Sequence, residues 1–350
     1  MPRSRYAVLI FVLFSLILYG CAPTYPKEHI TESVEKLVKK EKGLDVKAYL
    51  NGRTLTVYIP VDSLVSEDVK VSDRGFEIID DIDFILRRVA LSTDCSLQFL
   101  RVAEADEKDT AYEVTVIRNV EDVKRFRYMD ISRGEASKRV HFNIGLNPCI
   151  EGIRAIRARF GDMNDSIISM RTLRVDEETA LIYVNSATGT HLFTAGRDRS
   201  PGIINEDADS LPRIFSKYGD PETWPDTYAD ISDVRLEWFL AKEMASRIKE
   251  TLNRYGDFTV YGVEGRFEER NFYFKIDIFP VSLEKDIYES IDGAELLSAY
   301  AISYIVHGYG FKDFDYVKID NSLTKGGAVI RRDELEDKYY KRSKKLMRDI

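Results

Sequence analysis

Several residue types that build common sites are scarce in this chain of 350 residues. It has three cysteines, four histidines and two tryptophans, and 51 Lys+Arg are outnumbered by 59 Asp+Glu. So few cysteines exclude a disulfide-dense scaffold. The net charge of −8 argues against a general nucleic-acid binder, which would carry a basic face. We therefore expect no nucleic-acid partner.

Motifs of common enzymes are also missing from the sequence. It contains no Cys-x-x-Cys, no His-Glu-x-x-His, no glycine-rich loop followed by Lys-Ser or Lys-Thr, and no Gly-x-Ser-x-Gly. These motifs hold zinc, cradle phosphate groups or present a serine nucleophile. The sequence therefore leans away from an enzyme, and we expect no bound cofactor and no metal.

The N-terminus has the form of an export signal. Arg3 and Arg5 precede an uncharged, mostly apolar run over 6–19. This run is shorter than the roughly 20 residues that span a bilayer, but it fits the apolar segment of a secretory signal. It ends in Leu18-Tyr19-Gly20-Cys21, which resembles the lipobox of bacterial lipoproteins, although Tyr19 is larger than the residue usual at its position.

The resemblance implies that residues 1–20 are removed as a signal peptide and that the thiol of Cys21 carries a diacylglycerol. Ala22, where an Asp would favour the inner membrane, implies the periplasmic face of the outer membrane. Several acyl chains anchor a protein stably where one is marginal. Residues 21–26, with two prolines, then form an extended tether. Two alternatives are a short anchor that is never cut and an ordinary secretory signal.

A helix followed by a hairpin recurs along the rest of the chain. In the clearest case apolar residues at 30, 34, 37 and 38 share a helical face, Gly43 ends the helix, and Asn51-Gly52 joins two alternating strands. An isolated hairpin is marginal in water, so we expect these units to pair into antiparallel sheets with helices on one face. The predicted fold is α+β, with two such domains at 27–118 and 232–331.

Residues 119–231 form a less regular middle segment. The pattern predicts a helix over 150–160 and strands at 166–174, 179–185 and 190–195. The stretch 196–231, with four prolines and eight acidic residues, reads as a long loop. Residues 332–350 alternate acids and bases and predict a charged helical tail.

Two places could hold polar chemistry. His191 lies near Ser186 and Asp198 in the sequence, which offers a hydroxyl, an imidazole and a carboxylate for one site; the alternative is a polar turn after a strand. In the acidic loop, Asp220, Glu222 and Asp226 flank Trp224, which suits a calcium ion or a glycan. The alternative is a surface loop with Trp224 tucked into the core. Three further acids, at 80, 81 and 83, read as the solvated face of a helix.

Two cysteines remain after Cys21. An exported protein meets an oxidising compartment, so Cys95 and Cys149 could pair, or they could be two separate thiols.

These features predict a lipid-anchored envelope protein that acts by binding or assembly, with the membrane and an envelope protein or glycan as partners. One alternative is an envelope hydrolase acting on peptidoglycan or polysaccharide. Another is a solute-binding lipoprotein, which would need a cleft in 119–231.

Overall fold

A computed structural model provides the fold of the chain. It describes residues 24–350 except 63, 66–69, 109, 163–165, 176–177, 197–198, 206–210, 226, 256–257, 281–286, 323–326 and 347–350. The predicted signal peptide and the lipidation site at Cys21 therefore lie outside the described residues. Within the described ranges, no helix is both long enough and apolar enough to cross a membrane.

The chain divides into two compact units. The first comprises Met1–Ser132 and Phe142–Asp233, and the second comprises Arg133–His141 and Val234–Ile350. The α+β class is confirmed, because helices pack against three sheets that are rich in antiparallel pairs.

The first unit begins with two helix–hairpin elements. They are α1 (Ile30–Lys42), β1 (Lys47–Asn51) and β2 (Thr54–Val61), then α2 (Asp73–Ala90), β3 (Phe99–Asp106) and β4 (Tyr112–Asn119). With β5 (Val140–Leu146) they form a five-stranded sheet in the order β1-β2-β3-β4-β5. The two hairpins are antiparallel, but β2 and β3 pair in parallel. The sheet is therefore mixed, because α2 carries the chain back to the end at which β2 began.

Local sequence explains the boundaries of these elements. Gly43 adopts φ 73° and ends α1, and the side chain of Ser72 caps α2 by accepting a hydrogen bond from the amide of Gly75. Gly52 turns between β1 and β2 with φ 54°, which only glycine adopts at little cost. Asp83 of α2, however, is not on a solvated face as expected. It is buried, and its carboxylate pairs with Arg118 at 2.7 Å and with Arg87 at 3.1 Å.

The rest of the first unit contains a second sheet. The helices and strands in this part of the first unit are α3 (Val120–Arg127), α5 (Pro148–Asp162), β6 (Ile167–Arg174), β7 (Thr179–Ser186), β8 (Thr190–Gly196), β9 (Arg199–Asn205) and α6 (Leu211–Tyr218). The intervening helix α4 (Arg133–Lys138) belongs to the second unit. The four strands form an antiparallel meander in the order β6-β7-β8-β9. Helix α5 packs Ile153, Ile156 and Phe160 against apolar residues of β7 and β8.

The stretch 196–231 contains more regular structure than a long loop. It includes β9, α6 and a 3-10 turn at Pro221–Thr223. Three of its four prolines occupy positions where such elements tolerate proline. Pro201 is in an end strand, Pro212 is the second residue of a helix and Pro221 is the first of the 3-10 turn.

The second unit repeats the element order of the first six elements. It contains α7 (Leu236–Tyr255), β10 (Phe258–Glu268), β11 (Asn271–Pro280), α8 (Ile287–Tyr309), β12 (Tyr316–Asn321) and β13 (Gly327–Arg331). The sheet order is β10-β11-β12-β13, and the central pair β11 and β12 is parallel. One core joins both helices to one face of this sheet. The tail continues as Arg332–Glu334, a π-helical turn at Leu335–Tyr339 and α9 (Tyr340–Leu346).

A buried ion cluster holds the segment Arg133–His141 within the second unit. Glu135 pairs with Arg139 at 2.7 Å and with Arg247 at 3.2 Å, and both arginines are almost wholly buried. Burial alone would raise the pKa of Glu135, but the two guanidinium groups outweigh it and lower this pKa below its usual range.

Candidate functional site

A cavity of about 460 Å³ opens in the first unit, between α5, β6 and the segment 225–228. This size lies within the range of roughly 300–1,000 Å³ that is usual for ligand pockets. Its lining residues are Ile153 and Arg157 of α5, the consecutive residues Ile167, Ile168, Ser169, Met170, Arg171 and Thr172 of β6, and Pro225 and Tyr228.

Strand β6 forms one wall of the cavity along most of its length. It is an end strand of the meander and, among the described strands, only β7 pairs with it. The register with β7 shifts between Ile167 and Ser169, so Ile168 is a bulged residue, and its side chain is 68% exposed. An end strand directs part of its backbone N–H and C=O groups away from its sheet. The cavity therefore has both side chains and strand backbone along this wall.

Two arginines give the cavity a positive charge. Arg157 is exposed on α5, and no acidic side chain of the described residues pairs with it. Arg171 is half-buried on β6 and lies 3.8 Å from the carboxylate of Glu222, which is itself 69% exposed. Such a long, solvated ion pair is weak. Arg157 can therefore accept an anionic partner.

Buried polar contacts hold Tyr228, one of the lining residues, in place. The side-chain amide of Asn147 donates to the carbonyl of Tyr228 at 3.0 Å and to the carboxylate of Glu113 at 2.6 Å. Burial and the nearby Glu107 raise the pKa of Tyr228, while Arg157 opposes that shift. Tyr228 is thus fixed by its backbone, and its ring forms part of the lining.

Glu113 also takes part in a wholly buried ion pair. Arg174, at the end of β6, pairs with Glu113 of β4 at 2.5 Å, and both side chains are only 2% exposed. Thr115 donates a second hydrogen bond to the same carboxylate, at 2.9 Å. This network ties β6 to the first sheet and so fixes the cavity wall.

A second buried pair holds the segment that follows Tyr228. The carboxylate of Asp230 lies 3.2 Å from a guanidinium nitrogen of Arg101 on β3, and it accepts hydrogen bonds from the amide and hydroxyl of Ser232. Burial would raise the pKa of Asp230, but Arg101 and Arg174 lower it below its usual range. The end of the acidic loop is therefore anchored to the first sheet.

The structure describes only some of the residues that we singled out from the sequence. His191 lies on β8, its ring packed edge-on to Phe160, and its Nε2 has no hydrogen-bond partner among the described residues. Asp198 and Asp226 lie outside the described residues. No three His, Cys, Asp or Glu side chains that could share a metal ion come together in the described part of the chain.

Residues of the acidic loop have structural roles. Asp220 caps the 3-10 turn by accepting from the amide of Glu222 at 3.0 Å. Trp224 is buried against Leu181 and Leu192, and its indole N–H donates to the carbonyl of Tyr218 at 3.1 Å. The ring of Trp224 is therefore not available as a platform for a sugar. Glu222 contacts the cavity residue Arg171, at 3.8 Å.

Cys95 and Cys149 are both free thiols, so the disulfide that we considered is not formed. Cys95 is half-buried in the turn before β3, whereas Cys149 is wholly buried at the start of α5. Burial raises the pKa of the Cys149 thiol to about 12, although Arg174 and a hydrogen bond from Thr172 oppose the shift. A thiol in this state is inert packing.

The cavity residues themselves were missed by sequence reasoning. Arg157 looks like an ordinary charge on a solvated helical face, and Arg171 like the polar half of an alternating strand. The sequence signal that was available is the presence of basic residues next to exposed or half-buried apolar ones, as at Ile168, Met170 and Arg171.

Comparisons with known proteins identify no relative. No protein-family description matches this chain, and neither a curated protein nor a solved structure resembles it significantly.

Proposed function

We propose that this chain is a lipoprotein of the bacterial cell envelope that acts by binding a partner at the cavity between α5 and β6. The anchor rests on the lipobox-like Leu18-Tyr19-Gly20-Cys21. The binding role rests on one observation: an open cavity of about 460 Å³ combines apolar walls, an end strand and two arginines. Mostly apolar cavities with a few placed polar groups are the usual form of binding sites.

Anchoring is tested with a Cys21→Ala variant of the full-length chain in a bacterial host. We expect the native chain to sediment with membranes and to accumulate as a longer precursor when globomycin blocks the lipoprotein signal peptidase. Cys21→Ala should leave the membrane pellet or remain as precursor, because no thiol is left to carry lipid. Cys95→Ala removes another cysteine and should behave like the native chain. Unchanged fractionation of Cys21→Ala would refute the anchor.

Binding at the cavity is tested by photo-crosslinking in intact cells. The photoreactive residue p-benzoylphenylalanine replaces Ile168, which is exposed in the cavity wall, or Phe84, which is 56% exposed on α2. We expect a discrete adduct from position 168 and none from position 84. Mass spectrometry of the adduct then identifies its chemical class. Equal adducts from both positions, or none from position 168, would count against binding at the cavity.

A further inference from the structure

The C-terminal end of α3 exposes three large apolar side chains to solvent. Tyr128 and Met129 are 75% and 90% exposed, and Phe126, in the last turn of the helix, is exposed to a lesser degree. We call these three residues the α3 tip. Adjacent exposed apolar side chains of this size are typical of a surface that contacts a protein or a membrane.

Met129 occupies a backbone position that glycine usually holds. Its φ is 63°, and the amides of Met129 and Asp130 donate to the carbonyls of Phe126 and Arg125 at 3.1 Å and 2.8 Å. A left-handed glycine commonly ends a helix with this pair of bonds, and a side chain in the same conformation strains the backbone. Met129 gains no burial within the chain in return. A contact outside the chain would account for its side chain.

The tether that leads to Cys21 meets the first sheet at the end from which α3 leaves it. The amide of Tyr25 donates to the carbonyl of Ser92, and the amide of Val120, the first residue of α3, donates to the carbonyl of Gln98. Both carbonyls belong to the connection from α2 to β3. Four residues of extended chain from Cys21 to Tyr25 span at most about 14 Å. A lipid on Cys21 would therefore hold this end of the first unit close to a bilayer.

Basic side chains accompany the α3 tip. Arg127 is exposed, and no acidic side chain of the described residues pairs with it. Lys124 is also exposed, and its contact with Glu121 is weak, because it is 3.8 Å long and open to solvent. Aromatic and basic side chains together are typical of the boundary between lipid and water, where cations bind the phosphates of headgroups. Exposed Asp130 offsets part of this charge, so the apolar side chains supply most of the affinity.

We propose that the α3 tip inserts into the lipid surface that holds the anchor, with Phe126, Tyr128 and Met129 at the boundary of headgroups and acyl chains and Arg127 on the phosphates. This inference rests on the proposed lipid anchor at Cys21. An anchor at the end of a tether leaves the rest of the chain free to turn over the membrane. A second contact beside it fixes which end of the first unit faces the lipid.

The test measures whether position 128 reaches the lipid. The full-length, lipidated chain carries Tyr128→Cys labelled with the fluorophore NBD, with Cys95→Ala to remove the half-buried thiol; Cys149 is buried and stays unlabelled. It is reconstituted into vesicles of phosphatidylethanolamine and phosphatidylglycerol, with or without a lipid that carries a nitroxide close to its headgroup. We expect the nitroxide to lower NBD emission at least about twofold, because interfacial side chains lie about 5–10 Å into the boundary.

A matched label and three variants identify the contact. Lys40→Cys places the label at an exposed position near the end of α1 that is remote from the tether, and its emission should not change. Met129→Gly should raise stability in urea, because it relieves the left-handed backbone, and yet weaken the quenching at position 128. Arg127→Gln should lower the ratio of inserted to free tips about fivefold. Tyr261→Ser, at an exposed position of β10, should leave the quenching unchanged.

Other outcomes separate this inference from the proposed function. If the chain stays in vesicles through Cys21 while the label at position 128 keeps its emission, the inserted tip is refuted and the anchor stands. Equal quenching at positions 128 and 40 would also overturn the proposal. Emission that follows the number of chains per vesicle, and not the nitroxide, would replace the lipid by a second copy of this chain. If Cys21 carries no lipid, the inference fails with the anchor, whereas binding at the cavity is still decided by the crosslinks from position 168.

Discussion

Glu104 of β3 shows how burial alone can set the charge of a single residue. Its side chain is 1% exposed, and its Oε2 has no hydrogen-bond partner among the described residues. Burial raises the pKa of Glu104 to about 8, and the distant attraction of Arg74 only partly opposes this shift. The residue is therefore mostly protonated at neutral pH in the folded first unit.

This pKa predicts the pH dependence of stability. In the unfolded chain a glutamate has a pKa of about 4.3. Between that pH and about 8, the folded state therefore holds a proton that the unfolded state has lost. The free energy of unfolding should therefore fall as the pH rises through this window. Glu104→Gln should remove this fall and make the first unit more stable than native at pH 9 by about 5 kcal/mol, with no gain at pH 4.

The measurement uses urea unfolding followed by tryptophan fluorescence. The chain has two tryptophans, and Trp238→Phe leaves Trp224, which is buried in the first unit, as the single reporter. Glu77→Gln, at an exposed position of α2, is the matched control and should give the native pH curve. Parallel curves for the native chain and Glu104→Gln would contradict the prediction.

We expect a large loss of stability when one partner of the ion pair between Arg174 and Glu113 is replaced. Arg174→Met removes the guanidinium and leaves a buried carboxylate, which should cost about 3–5 kcal/mol of the free energy of unfolding. Adding Glu113→Gln should recover part of this loss, because no unpaired charge then remains. Lys36→Met breaks the exposed pair with Glu32 and should cost under about 1 kcal/mol in the same urea assay. Equal losses in the two single variants would show that the buried pair has no special role.

At the scale of elements, the turn at Asn51-Gly52 joins two strands and also contacts Asp233, where the first unit ends. A Cβ on Gly52 would lie 2.3 Å from the carboxylate of Asp233. That carboxylate accepts hydrogen bonds from the amide of Arg53 at 3.1 Å and from the hydroxyl of Thr54 at 2.8 Å. Because it has no side chain, Gly52 allows both the positive φ of the turn and the close approach of Asp233.

Gly52→Ala should destabilise the first unit by about 1–3 kcal/mol, because it strains the turn and displaces Asp233. The same urea assay measures the change. Gly161→Ala is the control, since Gly161 is in α5 with open space around its Cα, and alanine favours a helix. It should not destabilise the unit. Equal stability of Gly52→Ala and the native chain would refute the role assigned to this turn.

Local elements could be read from the sequence, whereas their arrangement could not. The helix over Ile30–Lys42 and the hairpin at Asn51-Gly52 follow from spacing and turn chemistry within about 30 residues. The parallel pairing of β2 with β3 depends on contacts between distant segments, which no local pattern contains. The cavity has the same origin, since Arg157 and Tyr228 meet only after the fold has formed.

At the scale of the whole molecule, the two units share one design. In each, a helix and hairpin are followed by a second helix and hairpin, and a parallel pair joins the hairpins. The recurrence is visible in the sequence as a repeated pattern with little identity. The first unit alone adds the meander, with α5 and the cavity, to this design. We therefore place the binding function in the part of the chain that breaks the repeat.

Hydrogen exchange of the full-length chain with and without the partner that crosslinks to position 168 tests the central claim, binding at the cavity, most directly. Binding at the cavity predicts slower exchange of backbone amides within 167–172, because a bound partner would shield this wall of the cavity from water. Exchange at β10, an end strand of the second unit that is remote from the cavity in sequence, should stay unchanged. Protection that appears at β10 instead of 167–172, or no protection at a saturating concentration of this partner, would contradict the account.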